Sequence, residues 1–236
     1  MRNLTRALGV VSLALCFLLQ PIIAQTQSGV VDSDEFFRRT SPAPKLRDHS
    51  QQIEALLKRM TLEEKVGQMT QLATGMIATG SNQDVKIDPD KLDKAVVKYG
   101  VGSILNVDQA LTVDHWHEII GDIQAATKKT RLGIPVIYGI DSIHGANFVQ
   151  GATLFPQETG MAATWNPELM KHAAEITAAE TRAAGIPWSF SPVLDLGRNP
   201  VWPRFWETFG EDPYLAKVMG VAFTRGLEGS DVSSQT

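Results

Sequence analysis

From Asp48 onward, apolar positions alternate between helix-like and strand-like spacing. Ile53, Leu56, Leu57 and Met60 recur at three- and four-residue steps, which predicts a helix with one apolar face. Thr61-Leu-Glu-Glu64 places a capping hydroxyl three residues before a Glu, so a second short helix is expected there, followed by a first strand over 67–72. Asp88-Pro89 sets a capping side chain before a proline suited to the first helical turn, and Gly100 closes that helix. A strand is expected over 101–107. Thr112 then caps a helix whose Val113, Trp116, Ile120, Ile123 and Thr127 form a stripe. The near-continuous apolar run 132–140 predicts a parallel strand covered on both faces. Asn166-Pro167 opens a helix with Leu169, Ala173, Ile176 and Ala183 on one face, ended by Gly185. A strand over 186–194 follows, and Asp212-Pro213 begins a helix running toward residue 228.

The expected strands start near residues 67, 101, 134 and 187, with helices between them. That rhythm is the signature of parallel βα units and an α/β fold. Right-handed crossovers leave two architectures, an open doubly wound sheet or a closed (β/α)8 barrel of the TIM type. A barrel takes about 250 residues and eight units, so four units amount to its N-terminal half.

The first residues change the picture of where the protein works. Arg2 and Arg6 precede an apolar run from Leu8 to Leu19, and Ile22-Ile-Ala24 offers a small residue for cleavage. This is the layout of a secretory signal peptide over 1–24, with a run too short to span a bilayer. Residues 25–46, rich in Ser, Pro, Thr and charge, read as an extended lead-in to a domain over 47–236. Cys16, the single cysteine, lies inside the signal, so the mature chain is expected to have no disulfide, cysteine nucleophile or thiolate metal site. Losing Arg2 and Arg6 takes the net charge from -4 to -6. Such an acidic protein offers no basic surface for nucleic acid or anionic lipid, and the expected product is soluble and secreted or periplasmic.

In either α/β architecture the chemistry lies in loops after the C-terminal ends of strands. There the chain places Asp141, Ser142 and His144, and later Asp195, Arg198, Arg204 and Glu207 interleaved with Trp202 and Trp206. Carboxylates and a guanidinium bond sugar hydroxyls while indole faces cover the apolar side of the ring. Residue types alone fit a sugar site and surface Arg–Asp pairing equally. His144 suits orienting Asp141, binding substrate or bonding to backbone. His115 and His117 diverge by about 200° on a helix and do not suit a shared metal. The sequence carries no nucleophile elbow, phosphate-cradling glycine loop or dinucleotide fingerprint.

Three ordered stretches carry a resemblance. They are Met60-Thr-Leu-Glu-Glu-Lys-Val-Gly-Gln-Met69, the run from Gly139-Ile-Asp-Ser-Ile-His-Gly145 through Phe155-Pro-Gln157 and Gly160 to Trp165-Asn166, and the run from Phe190-Ser-Pro-Val-Leu-Asp-Leu-Gly-Arg198 through Trp202-Pro-Arg-Phe-Trp-Glu207 to Pro213. Together they resemble the N-terminal domain of glycoside hydrolase family 3. The resemblance implies a barrel commonly followed by an α/β sandwich, and a retaining β-glycosidase without metal or organic cofactor. It implies β-glucosides as substrates, cleaved at the terminal non-reducing glucose. Asp141 aligns with a carboxylate that grips the terminal sugar and Arg204 with an arginine of the same subsite; Glu207, Trp202 and Trp206 are further candidates.

Retaining hydrolysis needs two carboxyl groups about 5–5.5 Å apart. In the family the nucleophilic Asp sits in a later barrel loop, the acid/base usually beyond the barrel, and a substrate-binding Lys-His pair after a later strand. Lys171-His172 lies within an expected helix and is not that pair. The catalytic carboxyls are therefore expected beyond Thr236, and the isolated chain is expected to be an inactive fragment. Three alternatives remain open: a non-catalytic sugar-binding protein, a compact open-sheet enzyme using Asp195 or Glu207, and a β-N-acetylglucosaminidase of the same family.

Overall fold

The computed structural model describes residues 48–229. The expected signal peptide (1–24) and lead-in (25–46) lie outside the described residues. The elements in chain order are α1 (Ser50–Arg59), α2 (Leu62–Gln68), β1 (Gln71–Ala73), β2 (Ala78–Thr79), β3 (Lys86–Ile87) and α3 (Pro89–Leu92). There follow β4 (Ser103–Leu105), α4 (Val113–Thr127), β5 (Ile137–Ile140), α5 (Glu158–Ala162), α6 (Pro167–Ala183), β6 (Trp188–Ser189) and α7 (Pro213–Glu228). A π-helical segment, Asp93–Lys98, extends α3.

All five expected caps form. Thr61 accepts from the Glu64 N–H at 3.2 Å while the Glu64 carboxylate accepts from the Thr61 N–H at 2.9 Å. Asp88, Thr112, Asn166 and Asp212 each accept first-turn N–H groups that would otherwise lack partners. Gly100 and Gly185 take positive φ where their helices end.

β1, β4, β5 and β6 form one parallel sheet in that order, with Gln71 opposite Ser103, Ser103 opposite Ile137 and Gly139 opposite Trp188. Each parallel strand lies beside the one before it, without the reversal of order that defines a doubly wound sheet. The winding is that of a barrel, of which these strands form part. A small antiparallel hairpin, β2–β3, interrupts the first βα unit and was not expected.

The strands are shorter than their apolar runs. Gly67 and Gln68 belong to α2, because the capping box nucleates a helix that uses up the start of the expected strand. Within 132–140 only the last four residues pair as a strand, since Pro135 has no N–H to offer the ladder. Within 186–194 pairing is confined to Trp188–Ser189, between Pro187 and Pro192, plus a bond from the Phe190 N–H to the Ile140 carbonyl at 3.0 Å.

Two apolar clusters result. One packs α4 on the sheet through Trp116, Ile119, Ile123, Ile104, Tyr138 and Ile140. The other joins α5, α6 and α7 through Met161, Met170, Ala174, Met219 and Phe223. The α6 face is rotated from the expected one: Met170, Ala173, Ala174, Thr177 and Thr181 are buried, whereas Leu169 is 56% exposed. Small residues on that stripe let α6 and α7 approach closely. The α1 stripe is uncovered among the described residues, with Ile53 54% and Leu57 39% exposed.

Candidate active site

The site begins where β4 and β5 end side by side. Asn106, the residue after β4, has φ +46°, a left-handed conformation that Asn tolerates better than most residues. Its N–H bonds the Gly139 carbonyl at 3.1 Å, and its own carbonyl accepts from the Tyr138 hydroxyl at 3.0 Å. Held this way, its side-chain amide faces Asp141, the residue after β5. Asn106 Nδ2 donates to Asp141 Oδ2 at 2.6 Å, and Asn106 Oδ1 accepts the Asp141 N–H at 3.0 Å. Behind the pair, Thr74 Oγ1 lies 2.5 Å from the Tyr138 hydroxyl. Burial pushes the Tyr138 phenol up, with the Thr74 bond opposing, so Tyr138 remains a neutral donor to Asn106.

Gly139 sets the width of this strand tip. A Cβ there would lie 2.3 Å from Phe190 Cζ and 3.0 Å from Trp188 Cε3. The two rings meet edge to face with centroids 4.7 Å apart and occupy the space that the glycine leaves.

The loop after β6 brings Arg204 to the same end of the sheet. Arg204 Nε donates to Glu207 Oε2 at 2.7 Å, and Nη2 lies 2.6 Å from the same oxygen. The Glu207 hydrogen bond raises the guanidinium pKa, and the charges of Glu207, Asp141 and Asp195 act in the same direction. Arg204 is thus paired with Glu207 and lies near enough to Asp141 and Asp195 to feel their charges. Trp202 and Trp206 flank Arg204 in the chain; Trp202 is half-buried and Trp206 is 51% exposed. Arg198 is exposed on the same loop.

The other candidates have structural partners. Ser142 is buried, with its hydroxyl 3.1 Å from that of Thr181. His144 Nδ1 lies 2.9 Å from the Phe155 carbonyl, so its ring is bonded to backbone and pins the 141–157 loop. His115 and His117 bond the separate carbonyls of Val85 and Ala183, as their divergence on α4 requires. Among the described residues, no three His, Cys, Asp or Glu side chains cluster as metal ligands.

Two important groups escaped sequence reasoning. Asn106 carries the same signal that exposed Asp141, a polar residue directly after an apolar strand. Glu158 is the other: it is fully buried in the first turn of α5, where Val193 N lies 3.2 Å from each carboxyl oxygen. Burial pushes its carboxyl up to about 8, the Val193 bond opposing and the charge of Glu207 adding to the rise. A Glu opening a helix reads as solvent-facing, so its pattern gives no hint of this.

Comparison with known proteins bears directly on this arrangement. The profile described as Glycosyl hydrolase family 3 N terminal domain matches residues 61–236. The chain belongs to glycosyl hydrolase family 3. A lysosomal β-glucosidase of Dictyostelium discoideum is 44% identical over 191 residues, covering 77% of this chain and 23% of its own length. A periplasmic β-glucosidase of Salmonella typhimurium is 28% identical over 220 residues, 93% of this chain and 25% of its own. A β-glucosidase from Listeria innocua, solved in complex with isofagomine, superposes with TM-score 0.60 at 33% identity, over 76% of this chain and 23% of that one. This family 3 chain is β-glucosidase-like and folds as part of a barrel domain. It spans about a quarter of the length of the curated relatives it matches.

Proposed function

We propose that this chain supplies the glucose-holding part of a retaining β-glucosidase, acting on terminal non-reducing β-D-glucosyl residues without metal or organic cofactor. The observation that carries this reading is the Asn106-held carboxylate of Asp141 at the C-terminal end of a parallel sheet, with the Arg204–Glu207 pair of the next loop close enough for the Asp141 charge to act on Arg204. Asn106 engages one oxygen of Asp141, and the remaining lone pairs of that carboxylate accept from adjacent sugar hydroxyls. Arg204 commits its Nε–H to Glu207, with Nη2 ion-paired to the same oxygen, and keeps Nη1 to donate to the sugar. Trp202 and Trp206 offer indole faces for the C–H side of the ring. Holding the sugar in this way uses remote binding energy to orient the anomeric carbon.

Of the carboxyls placed at the site, three are occupied in holding or buried, which leaves Asp195 where retaining chemistry needs two. Asp141 is fixed by Asn106, Glu207 is paired with Arg204, and Glu158 is buried. The nucleophile and the acid/base, which retaining chemistry requires about 5–5.5 Å apart, are accordingly assigned to residues outside this chain. Export to the periplasm or cell exterior is part of the same reading. The Salmonella relative is named as periplasmic and the Dictyostelium one as lysosomal, and no described helix is long and apolar enough to cross a membrane.

The test is calorimetric titration of the purified chain with isofagomine, alongside turnover of p-nitrophenyl β-glucoside and β-xyloside. Binding that disappears in Asp141→Asn, without turnover by the chain alone, is the expected result. Undiminished binding in Asp141→Asn overturns the sugar site. Turnover by the isolated chain overturns the external placing of the catalytic carboxyls.

A further inference from the structure

The loop carrying Asp195 and Arg204 leaves the sheet at β6 and runs to α7, and two adjacent residues of α5 tie down both of its ends. Near the start, Val193 N lies 3.2 Å from each carboxyl oxygen of Glu158, so one N–H is shared between them. Near the end, Thr159 Oγ1 lies 2.9 Å from the Trp206 carbonyl and 2.7 Å from the Thr208 carbonyl, one hydroxyl proton serving two acceptors. These two carbonyls bracket Glu207, the partner of Arg204. The anchor is itself firm, because Met161 and Ala162 of α5 are buried in the cluster shared with α6 and α7. Neither residue belongs to the sugar-contacting set: Glu158 has no exposed surface with which to reach a ligand.

We infer that Glu158 and Thr159 form a clasp that positions Glu207 and, through it, Arg204, and so regulates how tightly the site holds its sugar. This rests on the reading of Asp141 and Arg204 as the sugar site. The clasp has a protonation state. Burial pushes the Glu158 carboxyl up to about 8, the Val193 N–H opposes that rise, and the charge of Glu207 adds to it. The charged group facing Glu158 is Glu207, from the turn Phe205–Glu207; Arg204 balances Glu207 and also feels Asp141 and Asp195. At pH 6 the neutral carboxyl sits beside Glu207 without repelling it. Above pH 8 a buried carboxylate opposes Glu207 and demands water, which loosens the loop.

The experiment measures, in the full-length protein, isofagomine affinity at pH 6 and 9 and amide hydrogen exchange across residues 193–208. In Thr159→Val the loop amides exchange faster while those of α6 and α7 keep their protection. Isofagomine binding weakens by up to about tenfold, the scale of one hydrogen bond, and Thr159→Ser restores both readouts. Glu158→Gln keeps an acceptor for Val193 but cannot ionise, so it binds like the parent at pH 6 and loses the parent's weakening at pH 9. Unchanged loop exchange in Thr159→Val overturns the clasp, as does a Glu158→Gln variant with the parent's pH response. A parent that binds no isofagomine sinks the sugar-site reading instead; loop exchange in Thr159→Val then decides the clasp, faster exchange supporting it and unchanged exchange overturning it.

Discussion

Asn106 holds Asp141 at two points, donating from Nδ2 to the carboxylate at 2.6 Å and accepting the Asp141 N–H at Oδ1 at 3.0 Å. Backbone and side chain of Asp141 are thus fixed by one planar side-chain amide, and the main chain that carries it is anchored by Gly139 and Tyr138. The carboxylate rotamer is set before a sugar arrives, and ordering that is already present is not charged against binding.

Removing that amide is expected to weaken isofagomine binding about tenfold in Asn106→Ala, because a hydrogen bond to a charged group contributes about 1.5–3 kcal/mol and water recovers part of it. Asn106→Asp is expected to be worse, since a second carboxylate then faces Asp141. Titration calorimetry with both variants checks the order. Equal affinity in parent and Asn106→Ala would show that Asp141 is held by other means.

Arg204 donates its Nε–H to Glu207 Oε2 and sets Nη2 beside the same oxygen as an ion pair, leaving Nη1 for a ligand. A lysine keeps the charge but is a point donor without the planar fork. Arg204→Lys is therefore expected to lose isofagomine affinity to within a few-fold of Arg204→Ala, both at least about tenfold below the parent. Near-parental affinity in Arg204→Lys would mean that charge alone suffices.

Gly139→Ala tests the strand tip. The added methyl would sit 2.3 Å from Phe190 Cζ, closer than real contacts allow, so the Phe190 ring must move. Overpacking of this kind costs about 1–3 kcal/mol, and Phe190 opens the loop that carries Arg204. A lower urea midpoint with weaker isofagomine binding is expected; an unchanged midpoint would show that the ring moves freely.

Local signals were read well where local chemistry decides. Thr61, Asp88, Thr112, Asn166 and Asp212 cap their helices because a side-chain oxygen two or three residues from an unpaired N–H is sufficient in itself. The barrel-type winding needed more, since spacing yields βα units but not which strands adjoin. Leu169 was misplaced because periodicity fixes an apolar face only to within one residue's rotation, and the partner helix α7 selects the small stripe. At the proposed site, strand order accounts for Asp141 and Arg204 lying at one end of the sheet, while their role toward a sugar is implied by the family resemblance alone. The clasp was not legible, because Glu158 meets Val193 35 residues away and Thr159 meets Thr208 49 residues away.

Glu158 also makes stability depend on pH in a defined window. Its folded pKa, about 8, stands above the ordinary 4.5, so the native state keeps a proton that the unfolded chain releases. Rising pH therefore favours unfolding: the contribution is whole below about 4.5, declines through neutrality and is lost above about 8. Glu64, held low by Arg131, and Glu175, held low by Lys171, act on the acid side, where stability falls as pH drops below their ordinary 4.5. The interval between 4.5 and 8 thus isolates the buried carboxyl from these carboxylates. Urea midpoints measured from pH 5 to 9 are expected to decline in the parent and flatten in Glu158→Gln, whose amide keeps an acceptor for Val193 but does not titrate. The same decline in both proteins would place the proton elsewhere.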